Sequence, residues 1–334
     1  MVRWRSVCGG CLFAVALAAA ALLPGCGRHR NPWDDVPGGS TKVLASFPPL
    51  YCFAKTVAGD DAKVISLLTT VGPHDHKVDA TDAYLVRGAD LFLINGLGLD
   101  DFVIRLANSS ANPHPDLVQK SGEAIPAPKK GEVSRAGFLI HNAGEEGHKH
   151  ADGQVCPICG NGDYDPHVWL GIEEAIVMVH HIRDVLQKQD AAHKEGYQKR
   201  ADELVGKLRK LQADGLELLK DKKNRVFVTN HHSFRYFARS FGLTVLDSIQ
   251  LQAGVAPTTA HLDQLVRLCK QHDVRVIGVE PQYSQAAAGM LKDLCPDLTI
   301  VDLDPIETAP PNFGADYYLR VMEQNLNNLV KHLQ

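Results

Sequence analysis

The sequence predicts an α/β protein of two similar lobes, each a small, mainly parallel sheet flanked by helices, joined by one long helix. Three observations lead there. From Thr41 onward short apolar runs alternate with helix-length amphipathic runs, the pattern of α/β layers. The alternation restarts at "RVFVTN" (225–230). Between the two passes lies a proline-free, heavily charged stretch (190–223) with Tyr197, Ala201, Leu204, Leu208 and Leu211 at helical spacing, which reads as the joining helix.

In order, "KVLASF" (42–47) reads as a strand, "LYCFAKTVAG" as a helix closed by Gly59, and "AKVISLL" (62–68) as a second strand. "DATDAYLVRGA" opens with N-capping residues and reads as a helix, and "DLFLIN" (90–95) follows as a buried strand. The run containing Ile172, Ala175, Ile176, Val179 and Leu186 is helical, with His180 and His181 expected on its exposed side. In the second pass, "LTVLDS", "VRVIGVE" (274–280) and "LTIVDL" read as strands, with helices from about His261 and near 286–294 between them.

The first thirty residues read as an address rather than a fold. Arg3 and Arg5 precede the apolar stretch "CLFAVALAAAALL" (11–23), which is short for a membrane span and typical of a signal-peptide core. Leu23-Pro24-Gly25-Cys26 resembles a bacterial lipobox, so a lipidated Cys26 is expected to begin the mature chain; an uncleaved anchor is the other reading. The expected organisation is a signal peptide (1–25), a flexible tether (26–41), an N-terminal lobe (42–187) with a His/Cys loop (141–162), a linking helix (188–223) and a C-terminal lobe (224–334).

With 45% hydrophobic and 22% charged residues, the 334-residue chain can bury a sizeable core. A formal net charge of -4 provides no basic surface for phosphate backbones, so nucleic acid is not an expected partner. The 16 histidines gather in a few sections, which points to metal or to pH sensing. Setting aside Cys8 and Cys11 with the signal and Cys26 with the lipid leaves Cys52, Cys156, Cys159, Cys269 and Cys295. That odd number implies at least one free or metal-bound thiol outside the cytoplasm. Whether Cys269 and Cys295 pair stays open.

Four positions sit just beyond strand ends or at loop-to-helix junctions, where ligands collect in open α/β sheets: His74, His167, His231 and Asp304. Imidazole nitrogens with one carboxylate suit Zn2+. Taken singly, each has an ordinary alternative, since an Asp before Pro is often only a turn former.

The stretches "KVLASFPPLYCFAKTVAGDDAKVISLL", "GPHDH", "GADLFLINGLGLDDF", "DPHVWL", "HHSFRYFARSFGL", "VRVIGVEPQYS" and "VDLDP" resemble, in order and spacing, the zinc/manganese class of substrate-binding lipoproteins of ABC transporters. The resemblance implies two lobes on a rigid backbone helix, a metal in the cleft between them held by His74, His167, His231 and Asp304, and Glu280 as a hydrogen-bonding strut. It also implies an extracytoplasmic, lipid-anchored monomer that delivers metal to an ABC permease. A histidine at position 231, where manganese members commonly carry Glu, resembles the zinc members, so Zn2+ is the expected cargo and Mn2+ the alternative. His76 and Lys77 stand where the family has an aromatic residue and a Glu.

"CPICG" resembles half of a zinc-ribbon knuckle, and His148 and His150 with Cys156 and Cys159 form a candidate auxiliary metal site; a Cys156–Cys159 disulfide and a solvated histidine loop are the alternatives. An enzyme is not expected. A zinc hydrolase would need an open coordination position and a motif such as H-E-x-x-H, which the chain lacks. A metal-buffering surface adhesin would share the cleft site and differ in partners.

Overall fold

The computed structural model describes residues 32–109, 118–129, 134–141, 164–250 and 255–334. The expected signal segment, Cys26, His148, His150, Cys156 and Cys159 lie outside the described residues.

Strands β1 (Thr41–Ala45), β2 (Ala62–Ser66), β3 (Leu91–Ile94) and β4 (Val118–Lys120) form a parallel sheet in the order β2-β1-β3-β4. Its crossovers are α1 (Pro48–Ala58), α2 (Ala80–Gly88) and α3 (Phe102–Ser109). A second parallel sheet, β6-β5-β7-β8, comprises β5 (Val226–Thr229), β6 (Thr244–Ser248), β7 (Val276–Val279) and β8 (Thr299–Asp302). It is crossed by α6 (Arg235–Ser240), α7 (Thr259–Gln271) and α8 (Ala286–Leu294). Both halves therefore follow the same strand order, the two similar lobes expected. Strands covered by helices on both faces must be apolar throughout, and "LFLI" of β3 and "VIGV" of β7 are buried at every position.

Local chemistry sets the helix ends. Pro48 and Pro49 fill the first turn of α1, where a missing N–H is not needed. Asp79 and Asp82 form a reciprocal capping box at the start of α2. The joining helix, expected over 188–223, is α5 (Lys194–Leu219); residues 188 and 189 still belong to α4 (Ile172–Gln189), and a short turn separates the two. Its apolar stripe of Tyr197, Ala201, Leu204, Leu208 and Leu211 is buried. A Cβ at Gly215 would come within 2.5 Å of Phe241 and 2.7 Å of Leu326, so the close approach to α5 of the end of α6 and of α9 (Tyr317–His332) requires glycine there.

One apolar core takes residues from both sheets, including Val43, Phe92, Phe227 and Val276, together with α4, α5 and α9. Successive residues of β5 point to opposite faces, so Phe227 enters this core and Val228 a smaller one with Leu265, Ile277 and Leu291. The last helix reaches back to the N-terminal half: the Tyr318 ring meets Phe53 edge-on at 4.6 Å and its hydroxyl donates to the Trp169 carbonyl at 2.6 Å. His180 and His181 are half-buried rather than exposed, His181 lying 3.3 Å from the Ser121 hydroxyl. Among the described residues no helix is long and apolar enough to cross a membrane.

Candidate metal centre

The ends of three strands and the start of one helix converge between the sheets. His74 lies on the loop from β2 to α2, His167 just ahead of the short turn that opens α4, and His231 directly after β5; Glu307 follows β8. Among the described residues these four form the one group with ligand atoms all within 4.8 Å of one another.

The expected carboxylate, Asp304, is not in that group. Its Oδ1 accepts the Ile306 N–H at 2.7 Å and its Oδ2 lies 3.3 Å from the Tyr317 hydroxyl, the turn-forming use open to any Asp before Pro. Asn325 of α9 holds the Asp304 backbone from both sides, accepting its N–H at 2.8 Å and donating to its carbonyl at 2.7 Å. This turn places Ile306 at a φ of 62°, unfavourable for a β-branched residue. The outcome is that Glu307, three residues beyond Asp304, faces the histidines. A Cβ on Gly72, in the loop that carries His74, would lie 3.3 Å from Glu307 Oε2, so glycine leaves room for the carboxylate.

The contact distances define a small polyhedron. His167 Nε2 lies 3.4 Å from both His74 Nε2 and His231 Nε2. Glu307 Oε1 lies 3.3, 3.6 and 3.7 Å from the Nε2 atoms of His167, His74 and His231. These are five of a tetrahedron's six edges, and a regular tetrahedron with edges of 3.3–3.7 Å would have its centre about 2.0–2.3 Å from each corner, the range of zinc bonds to imidazole nitrogen and carboxylate oxygen. Glu307 Oε1 is buried and accepts no hydrogen bond. A buried carboxylate oxygen that accepts no hydrogen bond and faces three imidazole nitrogens is placed to join a cation.

Each deep histidine is oriented from behind, which leaves Nε2 facing inward. Asp165 Oδ1 lies 2.8 Å from His167 Nδ1, and Glu280 Oε1 lies 2.5 Å from His231 Nδ1. Gln282 donates to the other Glu280 oxygen at 3.0 Å, and Asn95 donates to the Pro166 carbonyl at 3.0 Å. Asn95 is in turn fixed by buried Asp100, which accepts the N–H groups of Asn95 and Gly96 and the Ser46 hydroxyl at the C-terminal ends of β1 and β3. His76, one of the two departures from the family pattern, lies 2.7 Å from Asp82 and meets the Phe102 ring at a tilt, centroids 5.1 Å apart, tying the His74 loop to the start of α2.

Burial works against charge throughout the site, and the ion pairs decide the outcome. For His167, burial lowers the pKa, but Asp165 and Glu307 outweigh it and hold the imidazole at about 10. His231 is likewise raised by Glu280 and Glu307 against its burial. Burial raises the Glu307 carboxyl, but His74, His167 and His231 more than reverse that and hold it at about 2. Burial lowers His74, and Glu307 only partly offsets it. Asp304, by contrast, is pushed up to about 6 by burial.

Comparison with known proteins places the chain in a family. The family model described as zinc-uptake complex component A, periplasmic (ZnuA), matches residues 43–332. The zinc-binding lipoprotein AdcA of Streptococcus pneumoniae is 32% identical over 319 residues, a match that takes in 94% of this chain but 59% of that relative's length. The high-affinity zinc uptake system protein ZnuA of Bacillus subtilis is 29% identical over 322 residues, 95% of both chains. Among solved structures, a Zn(II)-bound variant of AdcAII from Streptococcus pneumoniae superposes with a TM-score of 0.70 at 26% identity, covering 89% of this chain and all of that one (100%). FpvC of Pseudomonas aeruginosa in complex with Mn2+ shares the fold, with a TM-score of 0.71 at 24% identity over 88% of this chain and 98% of that one. With its two parallel sheets, its connecting helix and residues 43–332 matched, the chain belongs to the family of the periplasmic A component of zinc-uptake complexes.

Proposed function

We propose that the protein captures Zn2+ between its lobes outside the cytoplasm and delivers it to the permease of an ABC importer. The ligands in this reading are His74, His167, His231 and Glu307. The observation that carries it is the orphaned, buried Glu307 Oε1 ringed by three Nε2 atoms at 3.3–3.7 Å. Three imidazoles with one carboxylate favour zinc over manganese, because nitrogen donors and the Irving–Williams order both rank Zn2+ above Mn2+. The names of the streptococcal and Bacillus relatives support the same cargo. Attachment to the membrane through a lipid on Cys26 belongs to this reading as well; Cys26→Ser should release the protein from membranes.

The test is metal analysis of protein purified without added metal, followed by competition titration with zinc and manganese. One zinc ion held tightly by the unaltered protein, and lost in His167→Ala, is the expected result. Preference for Mn2+, or zinc binding that survives both His167→Ala and Glu307→Gln, would sink it.

A further inference from the structure

The four facing side chains are not equally enclosed. His167, His231 and Glu307 are 1–2% exposed, whereas His74 is 17% exposed, so the cleft opens on the His74 side. Tyr283 touches residues from both halves beside the site. Its ring meets His231 edge-on, centroids 5.9 Å apart, and its hydroxyl donates to Asp75 Oδ2 at 3.3 Å. Asp75 directly follows His74 on the loop of the N-terminal half, and Tyr283 follows β7 in the C-terminal half, where its N–H bonds the Glu280 carbonyl at 3.1 Å. One phenol thus reaches from the ring of one lobe's histidine to the neighbour of the other's. Neither Tyr283 nor Asp75 belongs to the converging group of four. Burial pushes the Tyr283 phenol well up, with Glu307 and Asp75 acting in the same direction, so the hydroxyl keeps the proton it donates.

We propose that Tyr283 is the gate residue for metal exchange: the ion enters and leaves past His74 only when the Tyr283–Asp75 bond breaks and the ring swings aside. This rests on the zinc-capture reading. A gate that is not a ligand slows entry and exit alike, so removing it speeds both and leaves the equilibrium nearly unchanged. A Tyr283 that merely packs the cleft would affect thermal stability and leave both rates alone.

The experiment is stopped-flow zinc association, and zinc dissociation into excess chromophoric chelator, for the full protein and for Tyr283→Phe, Asp75→Ala and the double variant. Loss of one charge-assisted hydrogen bond should raise both rates by about tenfold in Tyr283→Phe, with Kd moving by less than about threefold. Asp75→Ala should accelerate dissociation when Tyr283 is present and add little when Phe stands there; any loss of electrostatic attraction is common to both backgrounds and cancels in the cycle. Tight binding with rates unchanged in Tyr283→Phe, or strictly additive effects of the two substitutions, would overturn the gate alone. Absence of tight zinc binding by the unaltered protein would overturn the capture reading and the gate with it.

Discussion

Asp165 Oδ1 lies 2.8 Å from His167 Nδ1 and also accepts the His167 backbone N–H at 3.0 Å, so one buried carboxylate oxygen fixes both the ring and the main chain of a deeply buried histidine. Asp165 is itself held in place, because its carbonyl accepts the Tyr236 hydroxyl at 2.9 Å and its N–H bonds Ile140 at 2.8 Å. The ring is therefore aimed before any ion arrives.

Replacing that carboxylate by its amide keeps the volume and removes the charge. Asp165→Asn should weaken zinc binding by about 10- to 100-fold while leaving the fold intact. Competition titration together with circular dichroism checks both halves of the statement.

The two acidic residues after β8 should separate cleanly. Glu307→Gln removes the carboxylate of the converging group and should weaken zinc binding by at least about 100-fold. Asp304→Ala removes the bond that holds Ile306 at its unfavourable φ, costing about 1–2 kcal/mol of stability and disturbing zinc affinity only through the aim of Glu307. Equal losses of affinity in the two variants would contradict this division.

Zinc affinity should rise with pH. His167 is held at about 10 by Asp165 and Glu307, so its proton must leave before Nε2 can bind a cation. Calorimetry in buffers of different ionisation enthalpy should therefore find protons released on binding near neutral pH. The metal-free protein responds in two opposite windows. The raised His167 contributes stability that is whole below its ordinary value of 6.5 and is lost as pH climbs through about 10. The depressed Glu307 contributes stability present above its ordinary 4.5 and lost as pH falls through about 2. Thermal melts of metal-free protein should accordingly peak between these limits.

Trp169 ties the lobes through its indole N–H, which donates to the Pro305 carbonyl at 2.7 Å in the buried core. Trp169→Phe leaves that carbonyl without its donor and should cost about 1–3 kcal/mol in denaturant unfolding. Zinc stoichiometry should stay unchanged.

A core shared by both halves, with Ala309 N–H bonded to the Thr69 carbonyl at 2.8 Å, resists wide hinge motion. Small-angle scattering profiles with and without zinc should nearly superpose. A large compaction would contradict this.

The alternating strands and α5 were legible because parallel strands and an amphipathic helix each leave a regular apolar pattern along the chain. β4 left none, since "VQK" is only half-buried along its whole length. α9 did leave one, in Tyr318, Met322, Leu326 and Leu329, and spacing alone could have identified it. At the site the three histidines were readable from their places after strands and before a helix. Glu307 was not, because what brings it inward is the φ of 62° at Ile306, a backbone event with no signature in residue type. The Asp-Pro pair drew attention to a residue whose work is to make that turn.

The packing of Tyr318 on Phe53 and Trp169 also sets an order of assembly. A chain delivered N-terminus first brings His74 and His167 out early, yet the core around them lacks its last wall until residues 317–332 follow. Glu307 also emerges after all three histidines. Metal met during emergence encounters an incomplete ligand set, so the four side chains converge only once Glu307 and residues 317–332 have followed.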